Sequence, residues 1–241
     1  MSVKEKIFMA RVSDQAERYE DMVEFLKEVI QAKDDDLNTE ERNLLSVGFK
    51  NLISSSRGAW RTVGAIEQND KYAQYSSDCV EYKKKIGDEL ESQCNKVIEI
   101  VKEYSLAKAT DDEAKTFYQK MIGDYYRYIA ENATGDSLEK ATNGALEHYD
   151  LAQKAAEPLK PYNSTKLGLA LNFSVFHYEV KSDTSKACSL AEEALDAAKQ
   201  NTDNMDNEDA RDALSIVELL KENLALWKEE DQNDEKDAED L

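Results

Sequence analysis

Apolar and polar residues alternate with the period of an α-helix along nearly the whole 241-residue chain, and polar breaks divide it into about nine helices. Two short amphipathic segments fill roughly 3–16 and 19–32, and "KDDDLN" separates the second from the third. Asn38-Thr39-Glu40-Glu41 is a capping-box pattern and opens a long helix to about residue 69. After the turn "NDKYAQYSSD", a second long helix runs to about 108. Thr110-Asp111-Asp112-Glu113 repeats the capping pattern and starts a helix to about 132, and Asp136 to Glu139 opens another that Pro158 and Pro161 end. Three more are expected near 165–181, 185–201 and 208–229. The final "KEEDQNDEKDAEDL" has eight acids, two bases and almost no apolar content, so the pattern predicts a helical domain over 1–230 and an acidic disordered tail over 231–241. The helices are too long and too unequal for a 34-residue helical repeat. The expected class is all-α, an antiparallel array.

Composition narrows the partners. Against 31 Lys+Arg stand 51 Asp+Glu, and the pI is near 4.5. General nucleic-acid binding, which needs a broad basic surface, is excluded. The longest apolar run, "LGLALNFSVF" (167–176), falls short of the roughly 18 residues of a membrane span and reads as a buried helix segment. The opening "MSVKEKIFMARVSDQAERYE" mixes charges too early for a secretory signal. Cys79, Cys94 and Cys188 are scattered with no Cys-x-x-Cys, which points to reduced thiols in a cytosolic protein. The two histidines, His148 and His177, belong to no metal-ligand or nucleophile motif, and no phosphate-cradling or dinucleotide loop occurs. The expectation is a non-enzyme with no cofactor and no metal.

Within this acidic chain, "FKNLISSSRGAWR" (49–61) holds Lys50, Arg57 and Arg61 and no carboxylate. A step of seven returns to within about 20° on a helix and a step of four to within about 40°, so the three cations share a face. In "FYQKMIGDYYRYIAE", Lys120 and Arg127 are likewise seven apart, with Asp124 and Tyr128 on the same side. Asp124 is placed to orient a neighbouring guanidinium. Two arginines, a lysine and a tyrosine hydroxyl suit a dianionic phosphate, because guanidinium groups donate bidentate, charge-assisted hydrogen bonds. A third constellation is apolar: Leu171, Val175 and Tyr178 form a stripe edged by Asn172 and Glu179, and Leu219, Asn223 and Leu226 share a side near Trp227. An apolar stripe is usually core. Asparagines at its edge need partners, and an extended peptide backbone would supply them.

The segments "RNLLSVGFKNLISSSRGAWR", "FYQKMIGDYYRYIAE", "LGLALNFSVFHYEV" and "LLKENLALW" resemble the 14-3-3 family, dimeric phosphoserine/phosphothreonine-binding adaptors, over about residues 3 to 229. The resemblance implies nine antiparallel helices forming an amphipathic groove, with two protomers joined through their N-terminal helices. It implies that Arg57, Arg127 and Tyr128 hold the phosphate, with Lys50 beside it and Arg61 supporting. Asn172 and Asn223 would hold the peptide backbone, Leu171, Val175 and Leu219 would form the apolar wall with Leu226 near it, and Lys120, Asp124 and Glu179 would flank it. For the dimer it implies pairs of Arg18 with Glu89 and of Asp21 with Lys85 across the two-fold axis, around apolar Val12, Ala16 and Tyr82. Ala59 occupies a position where some family members carry a phosphorylatable serine that opposes dimerisation. Ser215 stands where a leucine of the apolar wall is usual. The implied partners are phosphorylated client proteins and a second copy of the chain or a relative, in the cytoplasm and also the nucleus. The competing reading is a helical scaffold that binds unphosphorylated or acidic ligands in the same cleft.

Overall fold

A computed structural model describes residues 1–199 and 209–239, and every regular element among them is helical. The α-helices are α1 (Val3–Gln15), α2 (Tyr19–Ala32), α3 (Thr39–Glu67), α4 (Ser76–Ile100), α5 (Asp112–Ala130), α6 (Gly135–Ala156), α7 (Ser164–Glu179), α8 (Thr184–Lys199) and α9 (Asp209–Glu239). The all-α expectation holds.

Capping chemistry sets several boundaries. At α3 the expected box forms in both directions: Asn38 Oδ1 accepts from the Glu41 amide at 2.9 Å, and Glu41 Oε2 accepts from the Asn38 amide at 3.0 Å. At α5 the cap lies one residue later than the sequence pattern suggests, because Asp111 rather than Thr110 accepts from the Ala114 amide, at 2.7 Å. Asn163 caps α7 through the Lys166 amide at 3.0 Å. The segment expected to continue α4 to 108 instead widens into a π turn over Val101–Ser105 and a 3-10 turn over Leu106–Lys108. Downstream, α9 reaches Glu239, so residues 231–239, expected to be unstructured, are helical. That stretch contains no Pro or Gly, and Glu, Lys and Ala are strong helix formers. Residues 240 and 241, and the end of the predicted 185–201 helix beyond 199, lie outside the described residues.

The chain divides into two compact units, Met1–Thr110 with Asn132–Ala141, and Asp111–Glu131 with Thr142–Leu241. In the first, α1 packs on α2, α2 on α3, and α3 on α4. Met22, Leu45, Phe49, Ile53 and Cys94 are buried in it.

In the second unit α7 is the central helix, in contact with α5, α8 and α9. The helix is apolar over most of its circumference, as an element enclosed by neighbours must be. One cluster joins Tyr149 and three α6 alanines (Ala145, Ala152, Ala156) to Leu169, Phe173 and Phe176 of α7. Tyr149 stacks on Phe173 with ring centroids 5.0 Å apart. A second cluster joins Leu167 of α7 to Ala187, Ala191 and Leu195 of α8 and to Leu220 and Trp227 of α9. Alanines on α6 and α8 leave room for the large side chains opposite them. Each fully buried Leu or Phe there contributes on the order of 1.5–3 kcal/mol.

Candidate functional site

Helix α5 builds the polar centre of the second unit. Lys120, Asp124, Arg127 and Glu131 follow one another at steps of three or four, hence along one face, and Tyr128, four residues after Asp124, borders it. Asp124 is 6% exposed, and its carboxylate receives three donors. Oδ2 accepts from Lys120 Nζ at 2.8 Å, while Oδ1 accepts from the Tyr149 hydroxyl at 2.7 Å and from Asn172 Nδ2 at 2.8 Å. An almost fully buried carboxylate is stable only when compensated in this way.

Arg127, also 6% exposed, is surrounded by oxygen. Its Nε donates to the Tyr149 hydroxyl at 3.3 Å and its Nη1 to Glu131 Oε1 at 3.1 Å, with Glu179 Oε2 at 3.6 Å from Nη1. The guanidinium carbon lies 4.7 Å from the Tyr128 ring centroid, a cation–π distance. Burial alone works against the charge, but the surroundings supplied by Tyr149, Tyr128, Asp124 and Glu131 outweigh it and hold the pKa above the ordinary arginine range. The Tyr149 hydroxyl is pushed well above its usual pKa, first by burial and then by the Asp124 charge, so it stays a neutral phenol able to donate to one partner while accepting from the other. With five N–H donors and two hydrogen bonds, the guanidinium keeps capacity for an added anion.

Here the sequence-level picture needs correction. Asp124 does not pair with the guanidinium directly. It binds Lys120, Tyr149 and Asn172, and reaches Arg127 only through the Tyr149 oxygen. Glu131 and Tyr149 were not anticipated. Glu131 was legible as an i+4 partner of Arg127, whereas nothing local in "LEHYDLAQ" marks Tyr149. Asn172 already donates within the protein, so its carbonyl end, not its amide nitrogen, is the part suited to a ligand N–H.

The apolar residues of this unit are arranged with one side open. Leu171 and Val175 are half-buried against the α8–α9 cluster, while Leu219 is 47% and Leu226 50% exposed, with Asn223 half-buried between them in sequence. Tyr178 stacks on Trp227 at 5.0 Å and donates to Glu230. Ser215 is exposed and turns its hydroxyl back onto the Arg211 carbonyl at 3.2 Å, so this position adds a satisfied hydroxyl where a leucine would add apolar surface.

In the first unit, α3 carries Lys50 and Arg61 exposed and Arg57 half-buried. Neither arginine is left unpaired as the local sequence suggests, since each has an interacting partner. Trp60 between them lies 5.3 Å under Lys83 Nζ. Of the residues expected at a dimer contact, Val12 is 41% and Tyr82 57% exposed. Ala16, Arg18, Ala59, Lys85 and Glu89 are exposed too, and Asp21 is half-buried. The four charges expected to pair between protomers pair inside the chain here, Arg18 with Asp21 and Lys85 with Glu89 (4.0 Å). The three cysteines are free thiols. Among the described residues no cluster of His, Cys, Asp or Glu could hold a metal ion, and no helix is long and apolar enough to cross a membrane.

Comparison with known proteins fits this architecture. A family model described as 14-3-3 protein matches residues 9–228. Protein BMH1 of Saccharomyces cerevisiae is 42% identical over 99% of this chain and 91% of its own length. The 14-3-3 protein beta/alpha of Homo sapiens is 41% identical, covering 99% of this chain and 97% of its own. The 14-3-3-like protein RA215 of Solanum tuberosum is 41% identical over 96% and 92%.

Proposed function

This chain belongs to the 14-3-3 family, and from that premise we propose that it is a dimeric, non-enzymatic adaptor that binds phosphoserine or phosphothreonine segments of client proteins. An adaptor role of phosphopeptide-binding type follows from the family in general terms. The assignment of residues is our own reading. The observation that carries it is the permanently charged, almost fully buried Arg127, braced by Tyr149, Glu131 and Glu179 and stacked against Tyr128, in the same unit as exposed Leu219 and Leu226. A phosphoserine carries about −1.5 to −2 charges and three acceptor oxygens, which Arg127 and Tyr128 would hold; the family resemblance assigns the same role to Lys50, Arg57 and Arg61. Asn172 and Asn223 would take the peptide backbone, and Leu171, Val175, Leu219 and Leu226 its apolar side chains. Lys120, Asp124 and Glu179 hold these groups in place.

The dimer would form through the first four helices, α1 to α4, where Phe8 (64% exposed), Val12 and Tyr82 leave apolar surface uncovered. The expected location is cytoplasmic, with access to the nucleus.

Calorimetry with matched phosphorylated and plain peptides tests the proposal. The phosphorylated peptide should bind and the plain one should not. Arg127→Ala should cost on the order of 2–5 kcal/mol of binding, much of it from groups left unpaired. Equal affinity for both peptides would favour instead a scaffold for unphosphorylated or acidic ligands.

A further inference from the structure

One hydroxyl joins the two functions assigned to the second unit. The Tyr149 oxygen accepts from Arg127 Nε at 3.3 Å and donates to Asp124 Oδ1 at 2.7 Å, and that same Oδ1 accepts from Asn172 Nδ2 at 2.8 Å. The result is a continuous path from the phosphate-binding guanidinium, through one phenol and one carboxylate oxygen, to the amide expected to clamp the peptide backbone. Asp124 Oδ2 adds Lys120 as a branch. We propose that Tyr149 is a positioning residue that couples phosphate recognition by Arg127 to peptide-backbone recognition by Asn172. The role of Tyr149 at this site rests on the phosphopeptide reading above.

The physical basis is the buried setting. Tyr149 is 0% exposed, and its ring is held by Phe173 and Phe176 of α7, the helix that carries Asn172. Chains of hydrogen bonds in a low-dielectric interior polarise one another, so a change at one end is felt at the other. When a phosphate accepts from the guanidinium it offsets part of the positive charge, so Nε–H becomes a weaker donor to the phenol oxygen, and the phenol a weaker donor to Asp124. The Asp124 oxygen then has more charge to share with Asn172. A peptide carbonyl or amide engaging Asn172 acts on the same chain from the other end. Binding of phosphate and of backbone is therefore non-additive, and the hydroxyl is the element that makes it so.

Tyr149→Phe keeps the ring and removes the link. Two measurements decide the matter. The first needs no ligand: the Arg127 Nε–H and Asn172 side-chain amide signals are followed by nitrogen-resolved NMR in the full chain. Both should shift and lose solvent-exchange protection in the Tyr149→Phe protein. A shift at Arg127 with Asn172 unmoved, or no shift at either, overturns the coupling.

The second is a binding cycle with one phosphopeptide. Arg127→Lys, Asn172→Ala and the double variant are compared in the parent and in the Tyr149→Phe background. The parent should depart from additivity by at least threefold in Kd, and Tyr149→Phe should bring the cycle to additivity. A Tyr149 that merely packs would lower stability and leave the non-additivity unchanged, which also overturns the proposal. If the parent chain binds phosphorylated and plain peptides equally, the adaptor reading falls on that result alone, and the NMR comparison still judges the link between Arg127 and Asn172.

Discussion

Gly123 lies on α5 where that helix meets the Tyr149 ring, and a single methyl group there measures how rigidly the site is built. A Cβ at this position would stand 2.9 Å from Cδ1 and Cε1 of Tyr149 and 3.1 Å from its Cγ. Carbon atoms in contact prefer about 3.5–4.0 Å, so the ring would have to retreat by roughly 0.5–1 Å. It has little space to do so, being 0% exposed, stacked on Phe173 and tilted against Phe176. Overpacking of this kind costs about 1–3 kcal/mol. Replacing a mid-helix glycine by alanine returns about 1 kcal/mol, leaving Gly123→Ala less stable by about 0–2 kcal/mol. Gly58→Ala is the internal control: Gly58 is exposed on α3 with nothing within 4 Å of its added Cβ, so it should be stabilised by up to about 1 kcal/mol. Urea unfolding of the three proteins reads the difference, and phosphopeptide calorimetry should show weaker binding for Gly123→Ala as the phenol leaves Arg127 and Asp124. Equal stabilisation by the two substitutions would refute the close packing of α5 on Tyr149.

Other expectations follow from named groups. His177 is buried between Phe173 and Phe176, its Nδ1 has no hydrogen-bond partner among the described residues, and burial lowers its pKa. Because burial lowers the pKa of the folded ring below the ordinary imidazole value, the unfolded state binds more protons as the pH falls through that value, and stability falls as the medium is acidified. Between pH 7.5 and 5.5 this contributes at most about 1.4 kcal/mol per pH unit, and His177→Phe should flatten that part of the urea-midpoint profile; an unchanged slope would show that the ring is hydrated. Removing the α3 cap with Asn38→Ala should cost about 0.5–2 kcal/mol in the same assay, and no loss would mean that the box is not formed in solution. Light scattering should report a dimer at micromolar concentration that persists after treatment with kinases acting on the serine found at this site in other family members, because Ala59 has no hydroxyl; a monomer would refute the dimer assignment.

What the sequence determined by itself is what depends on near neighbours along the chain. Helical period, capping residues and breaks are set within three or four residues, so the nine α-helices of the described residues and the Asn38–Glu41 cap were legible, most helix ends to within a few positions. The face shared by Lys120, Asp124 and Arg127 is equally local, as is the Arg127–Glu131 pair once α5 is known to be a helix. Resemblance to a family added roles for these residues that spacing alone could not supply. The continuation of α9 to Glu239 was not legible, because low apolar content signals the absence of a core, not the absence of a helix. Only the tertiary structure decided the wiring. Asp124 finds Tyr149 across 25 residues of chain and Asn172 across 48. Neither partner is favoured by local spacing, and both follow from α6 and α7 lying against α5. A buried carboxylate must take its donors from whichever helices enclose it, and the choice of enclosing helices is made by the packing of Tyr149, Phe173 and Phe176, not by the residues beside Asp124.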